Sequence, residues 1–122
     1  MNQMDFLYKK SVEFEQYEKV GNKIKDIMRA RGLAVNSLAQ RLKDENVFQY
    51  RSTARKFVID IRNGYMNFWI GEDKSRERIR NLEKLSYLFS FLNINVDDDI
   101  VEIIRKANPG FSYILKRDCD FI

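Results

Sequence analysis

Residues 20–42 read VGNKIKDIMRARGLAVNSLAQRL, and within them two helical stripes are separated by a single glycine. Val20, Ile24, Ile27 and Met28 recur at i, i+4, i+7 and i+8, one face of an α-helix. Gly32 follows where a left-handed C-terminal residue would stop that helix, which is therefore expected over about residues 19–31. Val35, Leu38, Ala39 and Leu42 then repeat at i, i+3, i+4 and i+7, predicting a second helix with Asn36 or Ser37 as its N-cap. The small Ala39 within this bulky stripe lets another helix approach closely, so two helices packed across a short connection are expected.

Working outward, Met4, Leu7, Phe14 and Tyr17 form a sparser stripe, predicting a separate N-terminal helix over residues 4–19. Downstream, ENVFQYRSTARKFVIDIRNG places Val47, Tyr50, Ala54, Phe57, Val58 and Ile61 on one stripe that ends at Gly64, which predicts a third helix. The opposite surface carries Gln49, Arg51, Ser52, Thr53, Arg55, Lys56 and Arg62, and Asp60 is the only acid between Asn46 and Gly64. YMNFWIGED, residues 65–73, is aromatic and apolar and reads as a short strand or a packed loop. A fourth helix over about residues 75–93 should turn Ile79, Leu82, Leu85, Phe89 and Leu92 inward. Lys74, Arg76, Arg78 and Arg80 crowd its start, where cations oppose the helix dipole and so call for a separate reason. NVDDDIVEIIRKANPG predicts a fifth helix with Asp97 as N-cap, Ile100, Val101, Ile103 and Ile104 as its apolar residues, and a stop at Pro109-Gly110. The tail FSYILKRDCDFI alternates weakly, as a strand or a docking arm would.

With 122 residues, no internal repeat and no Gly/Ser linker, the chain reads as one all-α domain of five or so helices, with at most one short β element. Its 44% hydrophobic and 33% charged residues are those of a globular protein, and neither a signal peptide nor a membrane span is evident, so a cytoplasmic location is expected. Cys119 is the single cysteine and reads as structural; there is no histidine, the commonest metal ligand and acid–base group. Without a phosphate-cradling glycine loop or a Cys–His pair, neither an enzyme nor a cofactor is expected. Asp97 to Asp99 are better explained as helix-start acids than as a cation site. Lys and Arg number 3 against 4 acids over residues 1–19, 15 against 8 over residues 20–94, and 4 against 6 over residues 95–122. A basic centre between acidic ends favours a polyanionic partner.

The same central region resembles the Cro/repressor-type (XRE-like) helix-turn-helix family. VGNKIKDIMRARGLAVNSLAQRL is similar to that family's opening, in which a helix ends in Gly-Leu and the next carries Leu-Ala-x-x-Leu. VIDIRNG, Val58 to Gly64, resembles the end of its recognition helix, and NLEKLSYLFSFLNI, Asn81 to Ile94, its closing helix. The resemblance covers residues 20–94, leaving 4–19 as an N-terminal helix and 95–122 as an extension. It departs from the family in two insertions: Leu42 and Val58 lie sixteen positions apart, well beyond the family's spacing, and Gly64 to Leu82 is also lengthened. The turn glycine is missing, and Ala34 stands where a capping serine is usual. Either the turn is a longer loop and the third helix begins near Ser52, or that helix starts near Glu45 and projects two further turns.

The resemblance implies a transcriptional regulator, a repressor by type, that docks its third helix in the major groove of double-stranded DNA and works as a homodimer. By position it makes Gln49, Arg51, Ser52, Arg55 and Lys56 DNA-contact candidates; Thr53 and Arg62 on the same basic face join them, and a second set of phosphate contacts at Lys74, Arg76, Arg78 and Arg80 would explain cations placed against the dipole. A rival reading keeps the scaffold but turns it into a protein-binding inhibitor or antitoxin of a mobile element, with Tyr65, Phe68 and Trp69 as the contact.

Overall fold

The computed structural model describes the backbone of residues 3–70, 75–109 and 111–113, and the side chains from Glu15 onward within those ranges, Ser75 apart. All regular structure among these residues is helical, in the order α1 (Gln3–Arg31), α2 (Val35–Asp44), α3 (Arg51–Arg62), α4 (Asn67–Ile70), α5 (Ser75–Phe91) and α6 (Asp99–Ala107). The expected all-α class holds. None of these helices is long and apolar enough to cross a membrane.

α1 is one unbroken helix where two were expected, over residues 4–19 and 19–31. Nothing interrupts it, because Gly21 lies inside it and serves packing. A Cβ at Gly21 would stand 2.5 Å from the Arg62 carbonyl oxygen and 2.9 Å from the Gly64 nitrogen. Conversely, a Cβ at Gly64 would stand 3.0 Å from both Glu18 Cα and the Tyr17 carbonyl oxygen. The two glycines therefore bring α1 against the end of α3 at backbone distance. α1 stops as anticipated: Gly32 takes φ +63°, its N–H bonds the Arg29 carbonyl at 3.3 Å, and Leu33 N–H bonds the Met28 carbonyl at 2.8 Å. This is the paired bonding of a Schellman C-cap.

α2 buries Leu38, Ala39 and Leu42 as its stripe requires, but neither Asn36 nor Ser37 caps it. Ala34, in extended conformation, is the N-cap and supplies no side-chain bond, so Asn36 and Ser37 fall within the first turn. The sixteen-residue spacing between Leu42 and Val58 is taken up by a longer connection, with α3 beginning at Arg51. Asn46 turns the chain with φ 59°, and Val47 N–H bonds the Leu42 carbonyl at 2.9 Å. Phe48 is buried against Phe57, ring centroids 5.1 Å apart, and edge-on to Trp69 at 6.2 Å. Consequently Tyr50, expected on the buried stripe of α3, is 61% exposed, and Val47 packs from the connection rather than from a helix.

Of the aromatic insert, residues 65–70 are described, and 67–70 make the single turn α4 where a short strand or a packed loop was expected. Met66, Trp69 and Ile70 are buried at i, i+3 and i+4, and the Met66 carbonyl accepts from both Trp69 N–H (3.0 Å) and Ile70 N–H (2.9 Å). α5 buries Leu82, Leu85, Leu88, Phe89 and Phe91, and Leu92 just beyond it is buried too. Ile79, expected inward, is 65% exposed. It lies off the stripe on which buried Asn81 sits, whose Nδ2 donates to the Trp69 carbonyl at 2.7 Å and ties α5 to α4.

α6 is capped by Asp98, not Asp97: the Asp98 carboxylate accepts from Ile100 N–H at 3.1 Å. Ile100, Val101 and Ile104 are buried, with Ile103 packed at the margin. Beyond α6, Phe111 and Tyr113 meet the Phe89 ring edge-on, and the Tyr113 hydroxyl donates to the Ile94 carbonyl. Lys74, Gly110 and the tail from residue 114, including Cys119, lie outside the described residues.

Candidate nucleic-acid interface

α3 is split cleanly by its own periodicity. Ala54, Phe57, Val58 and Ile61 are fully buried, which leaves Arg51, Ser52, Thr53 and Arg55 exposed on the first turns, with Gln49 exposed just ahead of them. The first turn contains no acid, and Tyr50 at the N-cap offers no side-chain bond. Arg51 therefore adds its charge to the positive end of the helix dipole rather than being neutralised there.

This surface continues onto α2. Asn36 and Ser37 are exposed and Gln40 half-exposed, and these three residues share a shallow depression of about 420 Å³ with Arg41, Asp44 and Arg51. Arg55 Nε donates to Asn36 Oδ1 at 3.0 Å, bridging the two helices, and Gln40 Nε2 donates to Asp44 Oδ1 at 2.9 Å. The sequence offers Asn36 and Ser37 as caps, whereas the structure places them exposed beside this surface. Their polarity on the face opposite Leu38 and Ala39 was the available signal.

The remaining candidates are distributed differently. Lys56 Nζ lies 2.9 Å from Asp60 Oδ2, which also accepts from Trp69 Nε1 at 3.0 Å. The Lys56 ammonium sits 4.8 Å from the centre of the Phe68 ring and 5.8 Å from that of Trp69, so it joins α3 to α4. Arg62 is half-buried at the far end of α3, about 16 Å along the axis from Arg51 at 1.5 Å per residue.

On α5, Arg76 and Arg80 are exposed. Arg78 turns toward the end of α6, where its Nε and Nη2 donate to Asn108 Oδ1 at 3.0 and 2.7 Å, and Nη2 reaches the Ala107 carbonyl at 3.4 Å. A cation at the C-terminus of α6 favours that dipole, so one member of the cluster that opposes the α5 dipole has a structural reason. Arg80 borders a second depression, of about 240 Å³, with Glu45, Asn46, Val47, Glu83, Lys84 and Tyr87, so carboxylates accompany the cations there.

No family model, curated protein or solved structure matches the chain. The site therefore rests on its own residues. Two of the three aromatic residues grouped as a partner contact are exposed, Tyr65 at 57% and Phe68 at 66%, whereas Trp69 is only 7% exposed and packs edge-on to Phe57 at 5.1 Å. Trp69 is a core residue. Among the described residues, no group of three His, Cys, Asp or Glu side chains is placed to hold a metal ion.

Proposed function

We propose that the chain is a sequence-specific DNA-binding regulator of transcription. In this reading α2 and α3 act as a helix-turn-helix with a lengthened turn, and the first two turns of α3 enter the major groove. The observation that carries it is the continuous exposed surface of Gln49, Arg51, Ser52, Thr53 and Arg55 beside Asn36, Ser37 and Gln40, with no acid in the first turn of either helix. Arginine can pair bidentately with guanine, glutamine with adenine, and the small hydroxyls and amides with phosphate. The lack of side-chain caps at Ala34 and Tyr50 leaves first-turn N–H groups of both helices for phosphate oxygens, apart from Ser37 N–H, which bonds the Ala34 carbonyl at 3.1 Å. The reading assigns direct contact to the α2–α3 surface and leaves Lys56, Arg62 and Arg78 outside it. Dimerisation and a repressing, cytoplasmic role belong to the same proposal and follow from the resemblance to Cro/repressor-type domains.

Fluorescence anisotropy with a mixed-sequence duplex, titrated over salt, tests it. Wild-type affinity should fall with a log-log slope of about −0.9 for each phosphate neutralised. Arg51→Ala/Arg55→Ala should weaken binding and flatten the slope by about 0.9 for each arginine that had neutralised a phosphate. Absence of binding at low salt would defeat this reading. The exposed pair Tyr65 and Phe68 would then direct attention to a protein partner, as in the inhibitor or antitoxin alternative.

A further inference from the structure

Arg55 differs from its neighbours Arg51 and Ser52 in having a described partner on another helix. Its Nε donates to Asn36 Oδ1 at 3.0 Å, across nineteen positions of sequence and between two exposed side chains. Nε carries a hydrogen and is never an acceptor, so the Asn36 carbonyl oxygen must be the atom that faces it. α2 is a fixed platform for this contact because Leu38 and Ala39, within the next turn, are fully buried. We infer that Asn36 is a positioning residue that holds Arg55 to read one guanine in the DNA site; the inference rests on the DNA-binding reading above.

The chemistry follows from the donors left over. A guanidinium has five N–H groups, and the Asn36 bond uses the one on Nε. The side-on fork made by Nε and Nη2 is thereby occupied, whereas the end-on fork of Nη1 and Nη2 stays open. Two parallel donors in that geometry match O6 and N7 of guanine, a pattern that no other base presents in the major groove. A free arginine on a helix surface spreads over many rotamers, and ordering it on binding carries an entropic cost that the Asn36 bond removes in advance. Asparagine suits this role because it accepts the Nε–H without cancelling the charge. Aspartate would hold the guanidinium as well but would set a carboxylate against the phosphate backbone.

Selection from a pool of duplexes with a randomised central segment, applied to wild type, Arg55→Ala, Asn36→Ala and Asn36→Asp, decides the matter. Anisotropy follows on the selected duplex and on versions with single base pairs exchanged. Arg55→Ala should lose preference for guanine at one position. Asn36→Ala should reduce discrimination at that same position roughly five- to tenfold, part of the range for a bidentate arginine–guanine pair, over and above any loss of affinity it shows on mixed-sequence duplex. Asn36→Asp should restore the discrimination and lower the overall affinity. A merely structural clamp between exposed side chains would alter stability, not base preference, and the emission of Trp69, the single tryptophan, reports that the fold is intact. Wild-type discrimination retained in Asn36→Ala overturns the inference, as does binding with no base preference that depends on Arg55; either outcome leaves the DNA-binding reading standing. Failure of the wild type to bind any duplex overturns both.

Discussion

Gly21 shows how much one missing methyl group can decide. A mid-helix glycine costs about 1 kcal/mol relative to alanine, so in an isolated helix Gly21→Ala would stabilise. Here the added Cβ would meet the Arg62 carbonyl oxygen at 2.5 Å and the Gly64 nitrogen at 2.9 Å, both backbone atoms that cannot rotate away. Overpacking of that kind costs about 1–3 kcal/mol, and against rigid backbone the upper part of the range applies. Gly21→Ala should therefore lower the urea unfolding midpoint by a net of about 1–2 kcal/mol of stability, with the slope of the transition unchanged. An unchanged or raised midpoint would mean that α1 and α3 can part without loss. Gly32 was legible in the sequence because it follows a hydrophobic stripe and ends it. Gly21 was not, since its reason is the close approach of Arg62 and Gly64, far along the chain. The same division separates Arg51, Ser52 and Arg55, readable as the polar face of α3, from Asn36, whose part depends on which residue of α3 lies opposite.

At the scale of elements, helix interiors were legible and the starts of α2, α3 and α6 were not. The stripes of α2, α3 and α5 are found with their apolar residues inside, Ile79 excepted, because periodicity is a property of contiguous sequence. Where a helix begins depends on backbone angles that several neighbouring residues can satisfy. Val47 and Tyr50 fit the spacing of α3, yet burial of Phe48 against Phe57 and Trp69 pulls the chain out of register and starts the helix at Arg51. Likewise three consecutive aspartates span the start of α6, and Asp98 is the one whose extended conformation aims its carboxylate at Ile100 N–H. Asp98→Ala should destabilise the protein by about 1 kcal/mol, the usual value of such a cap. Its ion pair with Lys23, 3.7 Å long and with the lysine half exposed, adds little. Asp97→Ala, one residue outside the cap and exposed, should be nearly neutral. Urea unfolding of the two variants compares them directly, and equal losses would remove the distinction between the two aspartates.

Over the whole molecule the helices form a chain of support for the candidate reading surface. α6 packs on α1, α1 meets α3 at the paired glycines, and α3 carries Arg51 and Arg55. The concentration of basic residues between Val20 and Ile94 was visible in the sequence, but the turning of Arg78 toward Asn108 was not, because that partner is set by tertiary contact; the Lys56–Asp60 pair is an i,i+4 contact within α3 that spacing alone could show. The segment that closes α6 against the core offers a way to probe this support. Tyr113 is buried against Phe89 and Phe111, and burial pushes its phenol up from 10.0 to about 12; the nearby Asp98 charge adds to the rise, and a hydrogen bond with Ser90 opposes it. A raised folded-state value means that this contribution to stability is complete below pH 10 and is lost as pH climbs toward 12, since over that window the unfolded chain has released a proton that the folded chain keeps. Unfolding free energies measured from neutral pH into this alkaline range should therefore fall for the wild type. Tyr113→Phe should lose about 1 kcal/mol at neutral pH, through the missing bond to the Ile94 carbonyl, and should fall less steeply at alkaline pH. Parallel profiles for the two proteins would show that ionisation of Tyr113 does not control the alkaline loss. A shallower profile in the variant would make this buried phenol the group through which alkali loosens the packing of the segment after α6 on α5.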